Sequence, residues 1–143
     1  MATAPQTDRL WNSRCLIWEA ADPYLYLRTT LDGRVVIGGE DEEFSDEETR
    51  DALIPRKIAA IRRKVEKLLP VLDTTPEFTW AGCFGASATG LPAIGAIPGA
   101  ARCFAVLGYG GNGITFSAIA AQVIQRAILG IADPDADLFA LPG

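Results

Sequence analysis

Residues 103–114 read Cys103-Phe-Ala-Val-Leu107-Gly108-Tyr109-Gly110-Gly111-Asn112-Gly113-Ile114. An unbroken apolar run meets a cluster of glycines, and apolar residues then recur at helical spacing over residues 114–129. The reading is a strand over 101–107, a glycine-rich turn and a helix over 114–129, with Gly130 as its C-cap. A strand with a continuous apolar run is expected to be buried on both faces.

The cluster satisfies G-x-G-x-x-G between a strand and a helix, the pattern of a dinucleotide-binding βαβ unit. That unit needs a second parallel strand ending in an acidic residue. Asp133 stands at about the right distance, roughly twenty residues on, but the residues before it keep the helical pattern. A small NAD-binding domain therefore requires a strand after residue 130. Local physics supports a second reading. Bare N–H groups at a helix start, together with the helix dipole, suit a planar or anionic group, and glycines let it approach closely. A third reading is a turn that merely permits tight strand–helix packing.

Upstream, residues 16–21, 24–30 and 34–38 read as three strands joined by Asp22-Pro23 and Leu31-Asp32-Gly33 turns, hence an antiparallel meander. An acidic run, residues 40–48, reads as a solvated loop, with Ser45 and Glu48 at capping-box spacing. Residues 55–69 form the clearest helix: Ile58, Ile61, Val65, Leu68 and Leu69 share one face, Pro55 suits its start, and Pro70 stops it. Residues 78–84 read as a strand. Residues 85–99, punctuated by Gly90, Pro92, Gly95, Pro98 and Gly99, read as a loop, and the tail 133–143 as irregular.

The composition narrows the function. The 143 residues carry a net charge of −5, which argues against a nucleic-acid partner. There is no histidine, so the commonest general base and metal ligand is missing. Cys15, Cys83 and Cys103 are odd in number and widely spaced, which suggests neither a disulfide framework nor a metal site, and fits a reducing cytoplasm. No transmembrane segment is expected, because the apolar stretch at 103–125 is broken by glycines and polar residues.

Two further segments stand in order before the glycine cluster: Trp80-Ala-Gly-Cys-Phe-Gly-Ala-Ser-Ala-Thr-Gly-Leu-Pro-Ala-Ile-Gly95 and Asp32-Gly-Arg-Val-Val-Ile-Gly-Gly-Glu-Asp41. The ordered set resembles the C-terminal half of the D-amino acid oxidase-like family of FAD-dependent oxidoreductases. That family includes glycine and sarcosine oxidases, D-amino acid dehydrogenases and the γ-glutamylputrescine oxidoreductase group. The resemblance runs from residue 16 to about residue 139. It implies an α+β fold: an antiparallel substrate-domain sheet with a long packing helix, followed by a strand, glycine-rich turn and helix of the FAD-binding domain. Residues 1–14 would then be an extension, 15–84 the substrate-domain part and 85–143 the flavin-binding part.

The resemblance implies site residues too. Gly90, Leu91 and Pro92 match the segment lining the flavin ring. Gly110, Gly111, Asn112, Gly113 and Ile114 match the cluster whose amides meet the flavin pyrimidine edge. A substrate carboxylate in this family is often held by an arginine and a tyrosine of the sheet. Tyr24, Tyr26 and Arg28 alternate on one strand face, and Arg28 could pair bidentately with a carboxylate. An exposed amphipathic sheet face is the other reading. Tyr109, beside the flavin seat, is a further substrate candidate, against ordinary packing at a strand end. Cys83 lies near a position where some members attach flavin covalently; a buried structural cysteine is the alternative. No catalytic side chain is assigned.

The family opens with a Rossmann βαβ unit, and nothing in residues 1–32 resembles it. The expectation is thus a C-terminal portion of an FAD-dependent enzyme that oxidises the C–N bond of an amine or amino acid, inactive alone. It would be completed by a missing N-terminal half, or would self-associate through the unpaired strand at 101–107. The alternatives are a subunit of a split flavoenzyme and a non-catalytic α+β interaction module.

Overall fold

The computed structural model describes residues 1–43 and 46–141. Its elements in chain order are β1 (Ala2–Thr3), β2 (Ile17–Trp18), β3 (Leu25–Thr29), β4 (Val35–Gly39), α1 (Glu47–Ala52), α2 (Ile54–Leu68), β5 (Pro76–Phe78), β6 (Ala93–Ala96), β7 (Phe104–Leu107) and α3 (Gly113–Leu129), with short 3-10 turns at Thr7–Arg9 and Ala136–Phe139. The chain divides into two compact units, Met1–Ala81 and Gly82–Gly143. The fold is α+β with antiparallel sheets, as the resemblance implies.

The first unit is a five-stranded sheet ordered β2-β3-β4-β1-β5. The β3–β4 hairpin closes at Asp32-Gly33, where Gly33 takes φ +83° and its N–H donates to the Thr30 carbonyl at 3.1 Å. Its register, Leu27 opposite Ile37 and Arg28 opposite Val36, puts Leu25, Leu27, Val35 and Ile37 on one face. That face is buried, and Ile61 and Val65 of α2 join it in one cluster with Met1 and Leu72. The opposite face carries Tyr26 and Arg28, both exposed, so period-2 alternation holds along β3.

Residues 1–14 contain more than an extension. Ala2 pairs with Val36 of β4 and with Phe78 of β5, so β1 lies inside the sheet. The buried Thr3 hydroxyl accepts from the Val35 N–H at 3.1 Å and from Gln6 Nε2 at 2.9 Å. Two residues are too few to display a period, so no sequence pattern announces this strand. In the acidic stretch a short helix does begin, capped by Asp46, whose Oδ1 accepts from the Thr49 N–H at 2.7 Å. The expected Ser45 cap lies outside the described residues. Glu42 accepts from Arg56 and pairs with Lys57 at 2.7 Å, which ties the acidic stretch to α2.

The second unit departs further from the sequence expectations. The strand expected over 78–84 is only Pro76–Phe78, and Trp80 and Phe84 are exposed beyond it. The loop expected over 85–99 contains β6, which pairs antiparallel with β7 in the register Ala93–Leu107, Ile94–Val106, Gly95–Ala105 and Ala96–Phe104. The apolar strand therefore has a neighbour, formed by a segment whose glycine and proline content masked it. It is also not buried on both faces: Phe104, Ala105 and Val106 are half-buried and Leu107 is exposed. Helix α3 covers one face of this pair, with Ile94, Ala120, Val123 and Phe139 forming the core. Gly130 caps it at φ +68°, and the Ile131 N–H donates to the Arg126 carbonyl at 2.9 Å.

The dinucleotide reading of the glycine cluster is overturned here. Its strand pairs antiparallel, and α3 leads into a 3-10 turn rather than a parallel strand among the described residues. Cys83, like Cys15 and Cys103, is exposed and not a buried structural cysteine. No helix among the described residues is long and apolar enough to cross a membrane.

Candidate functional site

The antiparallel register builds the site. Ala93 opposite Leu107 sets the start of β6 beside the end of β7. Residues 90–92 lead into the one, and the cluster 108–114 leaves the other, so the two segments singled out in the sequence share one end of the sheet. Two further links join them: the Gly110 N–H donates to the Gly85 carbonyl at 2.9 Å, and Ala86 forms an antiparallel bridge with Tyr109.

The segment before Pro92 is shaped by its own hydroxyls. Ser87 Oγ donates to the Leu91 carbonyl at 2.6 Å, the Gly90 N–H donates to the Ser87 carbonyl at 3.3 Å, and the Leu91 N–H donates to Thr89 Oγ1 at 3.3 Å. This is a side-chain-braced turn. Pro92 is buried, while Leu91 is exposed. Gly85, Ala86, Ser87 and Thr89 shape this turn and its link to the glycine cluster, and sequence reasoning did not single them out. The small-residue run Gly85-Ala-Ser-Ala-Thr-Gly90 was the available signal.

The cluster itself is a turn into a helix. The Asn112 N–H donates to the Tyr109 carbonyl at 3.2 Å, and the Asn112 carbonyl accepts from Phe116 at 3.0 Å, starting α3. The Asn112 side chain makes no cap hydrogen bond. The first N–H groups of a helix have no intrahelical acceptor, so those of Gly113, Ile114 and Thr115 are free for an outside partner and sit at the positive end of the dipole. Gly110 takes φ +54°, which side chains resist.

The glycines do not all have the same cause. A Cβ at Gly113 would crowd the Tyr109 ring at 3.3 Å, so that glycine serves internal packing. A Cβ at Gly90, Gly110 or Gly111 would meet nothing within 4 Å. Those positions are open in this chain. Ile114 is 91% exposed and Tyr109 is exposed beside it, so apolar side chains border the same opening.

Tyr26 and Arg28 belong to the first unit, on the exposed face of β3, and the residues expected to meet the flavin belong to the second. The Arg28 side chain forms no ion pair or hydrogen bond among the described residues. Trp18 and Tyr24, neither of them a principal sequence candidate, stand with Tyr26. The Trp18 and Tyr24 centroids are 6.2 Å apart, and those of Tyr24 and Tyr26 are 6.1 Å apart. Tyr24 Oη donates to Asp41 at 2.5 Å, and that bond pushes its phenol up to about 12.

None of the curated proteins compared matches the chain. The family model described as FAD dependent oxidoreductase matches residues 1–127. That span includes β1 and both glycine-bearing segments, so the match and the strand–turn–helix geometry concern the same residues. The chain belongs to the FAD dependent oxidoreductase family.

Proposed function

We propose that this chain forms the flavin-ring side of an enzyme that oxidises the C–N bond of an amine or amino acid, and that a further polypeptide segment holds the adenosine half of FAD. The observation carrying this reading is the open glycine seat at the start of α3. Gly111 faces no atom that a Cβ would strike, and free amides and a helix dipole point to the same place. A glycine kept for packing would look like Gly113; Gly111 does not.

These residues fit a flavin. The free amides of Gly113, Ile114 and Thr115 suit the electron-rich edge of the ring, and the turn through Gly90, Leu91 and Pro92 offers a small, partly apolar surface beside it. When bound, FAD supplies the hydride acceptor for C–N oxidation. The chain's own part is to bind and orient. The α3 amides would stabilise negative charge on the reduced ring without reorganising. Within the first unit, Arg28 would pair with a substrate carboxylate beside Tyr26; within the second, Tyr109 borders the glycine seat. No side-chain base is assigned, and none is needed when the amine arrives neutral.

The test is Gly111→Leu. The position is open and its φ is not positive, so folding should be unaffected. The expected result is loss of flavin absorbance after gel filtration of the FAD-loaded protein, assembled with its completing segment, with an unchanged circular dichroism spectrum. Full flavin retention would overturn the assignment.

A further inference from the structure

We infer that Trp18, Tyr24 and Tyr26 form a recognition site for a small quaternary ammonium compound. Trp18 and Tyr26 are cross-strand partners in β2 and β3, and Tyr24 lies within 6.2 Å of both ring systems, tilted by 51° to the one and 30° to the other. Centroids at that spacing let one cation lie within the roughly 6 Å reach of two neighbouring rings at once.

Two of the rings are held. Tyr24 is fixed by its hydrogen bond to Asp41 at 2.5 Å. Tyr26 lies over Gly38, its cross-strand partner, so closely that a Cβ there would come within 2.4 Å of the ring carbon Cζ. Trp18 is 60% exposed and Tyr26 is 38% exposed, so the ring surfaces are accessible without any opening motion.

The surroundings select the ligand. Glu19, Glu40 and Asp41 stand around Tyr24, and Lys64 is the cation that pairs with the first two. Negative charge is in surplus at this end of β3, with Arg28 two residues beyond Tyr26. Yet the carboxylates are engaged: Asp41 accepts from Tyr24, and Glu19 and Glu40 face Lys64. A primary ammonium needs acceptors for three N–H groups and is strongly hydrated. A quaternary ammonium needs none, and it gains from ring faces and a diffuse negative field. Three rings with neighbouring centroids 6.2 and 6.1 Å apart offer contact to a single ammonium headgroup, and the proposed ligand is a small molecule carrying one. A quaternary nitrogen has no lone pair to assist C–N oxidation, so the ligand is not the substrate of the flavin reading, although Tyr26 belongs to both sites.

Calorimetric titration of the full chain, without FAD, with choline and with its neutral isostere 3,3-dimethylbutan-1-ol tests the assignment. Choline is expected to bind saturably, and the isostere about tenfold more weakly, the difference a cation–π contribution makes. Trp18→Leu and Tyr24→Leu should each weaken choline binding by a similar factor, with unchanged circular dichroism. Equal affinity for the isostere, or unchanged affinity in Trp18→Leu, would overturn the site. Tighter binding of a trimethyl-lysine peptide than of choline would overturn its assignment to a small molecule.

Discussion

Tyr24 shows how one side chain reports its neighbours. Asp41 accepts its hydroxyl hydrogen, and that hydrogen bond, with burial and the carboxylate charge adding to it, raises the phenol to about 12. A folded-state value above the ordinary one, about 10, means that the native protein holds this proton more tightly than the unfolded chain. The resulting stability is fully present below pH of about 10 and is lost as pH rises through about 12. Ultraviolet titration should therefore find one of the three tyrosines ionising last, and Asp41→Ala should return it toward the ordinary value. If the variant titrates like the native chain, Asp41 is not the cause. Gly111 and Gly113 teach a related lesson. Both are glycines in one cluster, but only the tertiary structure distinguishes a glycine facing Tyr109 from one facing open space.

At the scale of elements, β3 was legible because its side chains alternate with period 2 and its turn carries Asp32-Gly33. Helix α2 was legible because Ile58, Ile61 and Val65 recur at helical spacing beneath charged residues. The energetic consequence is local. Leu27 is fully buried in the sheet core, whereas Leu31 at the hairpin tip is fully exposed. Leu27→Ala should cost about 2–5 kcal/mol, and Leu31→Ala should stay within about 0.5 kcal/mol, as read from denaturant unfolding of the first unit. Similar losses for both would refute the assigned face. Strand β6 was not legible. Its sequence, Ala93-Ile-Gly-Ala96, contains one large apolar residue, and it is flanked by proline and glycine. Only pairing with β7 makes it a strand, a tertiary override of weak local propensity.

For the whole molecule, the two units differ in how much core they hold. The first packs Leu25, Leu27, Val35, Ile37, Ile61 and Val65 around one side of a five-stranded sheet. The second rests on Ile94, Ala120, Val123 and Phe139, and leaves Ile114, Ile128 and Leu129 of α3 exposed. Local stability follows buried apolar contact, so amides of β3 and β4 should exchange with solvent more slowly than those of α3. Hydrogen exchange followed by mass spectrometry checks this, and equal protection would contradict it. The sequence by itself determined the α+β class, the hairpin, both long helices and the glycine-rich segments that point to the flavin family, because periodicity, turn chemistry and motif order are written in neighbouring residues. Only the tertiary structure decided that residues 2 and 3 form an interior strand, that β6 pairs with β7 and brings Gly90 and Gly111 to one end, and that Trp18 and Tyr24 flank Tyr26. Each of these joins residues far apart in the chain or in elements too short to show a period, and such contacts are selected by packing and hydrogen-bond satisfaction rather than by local pattern.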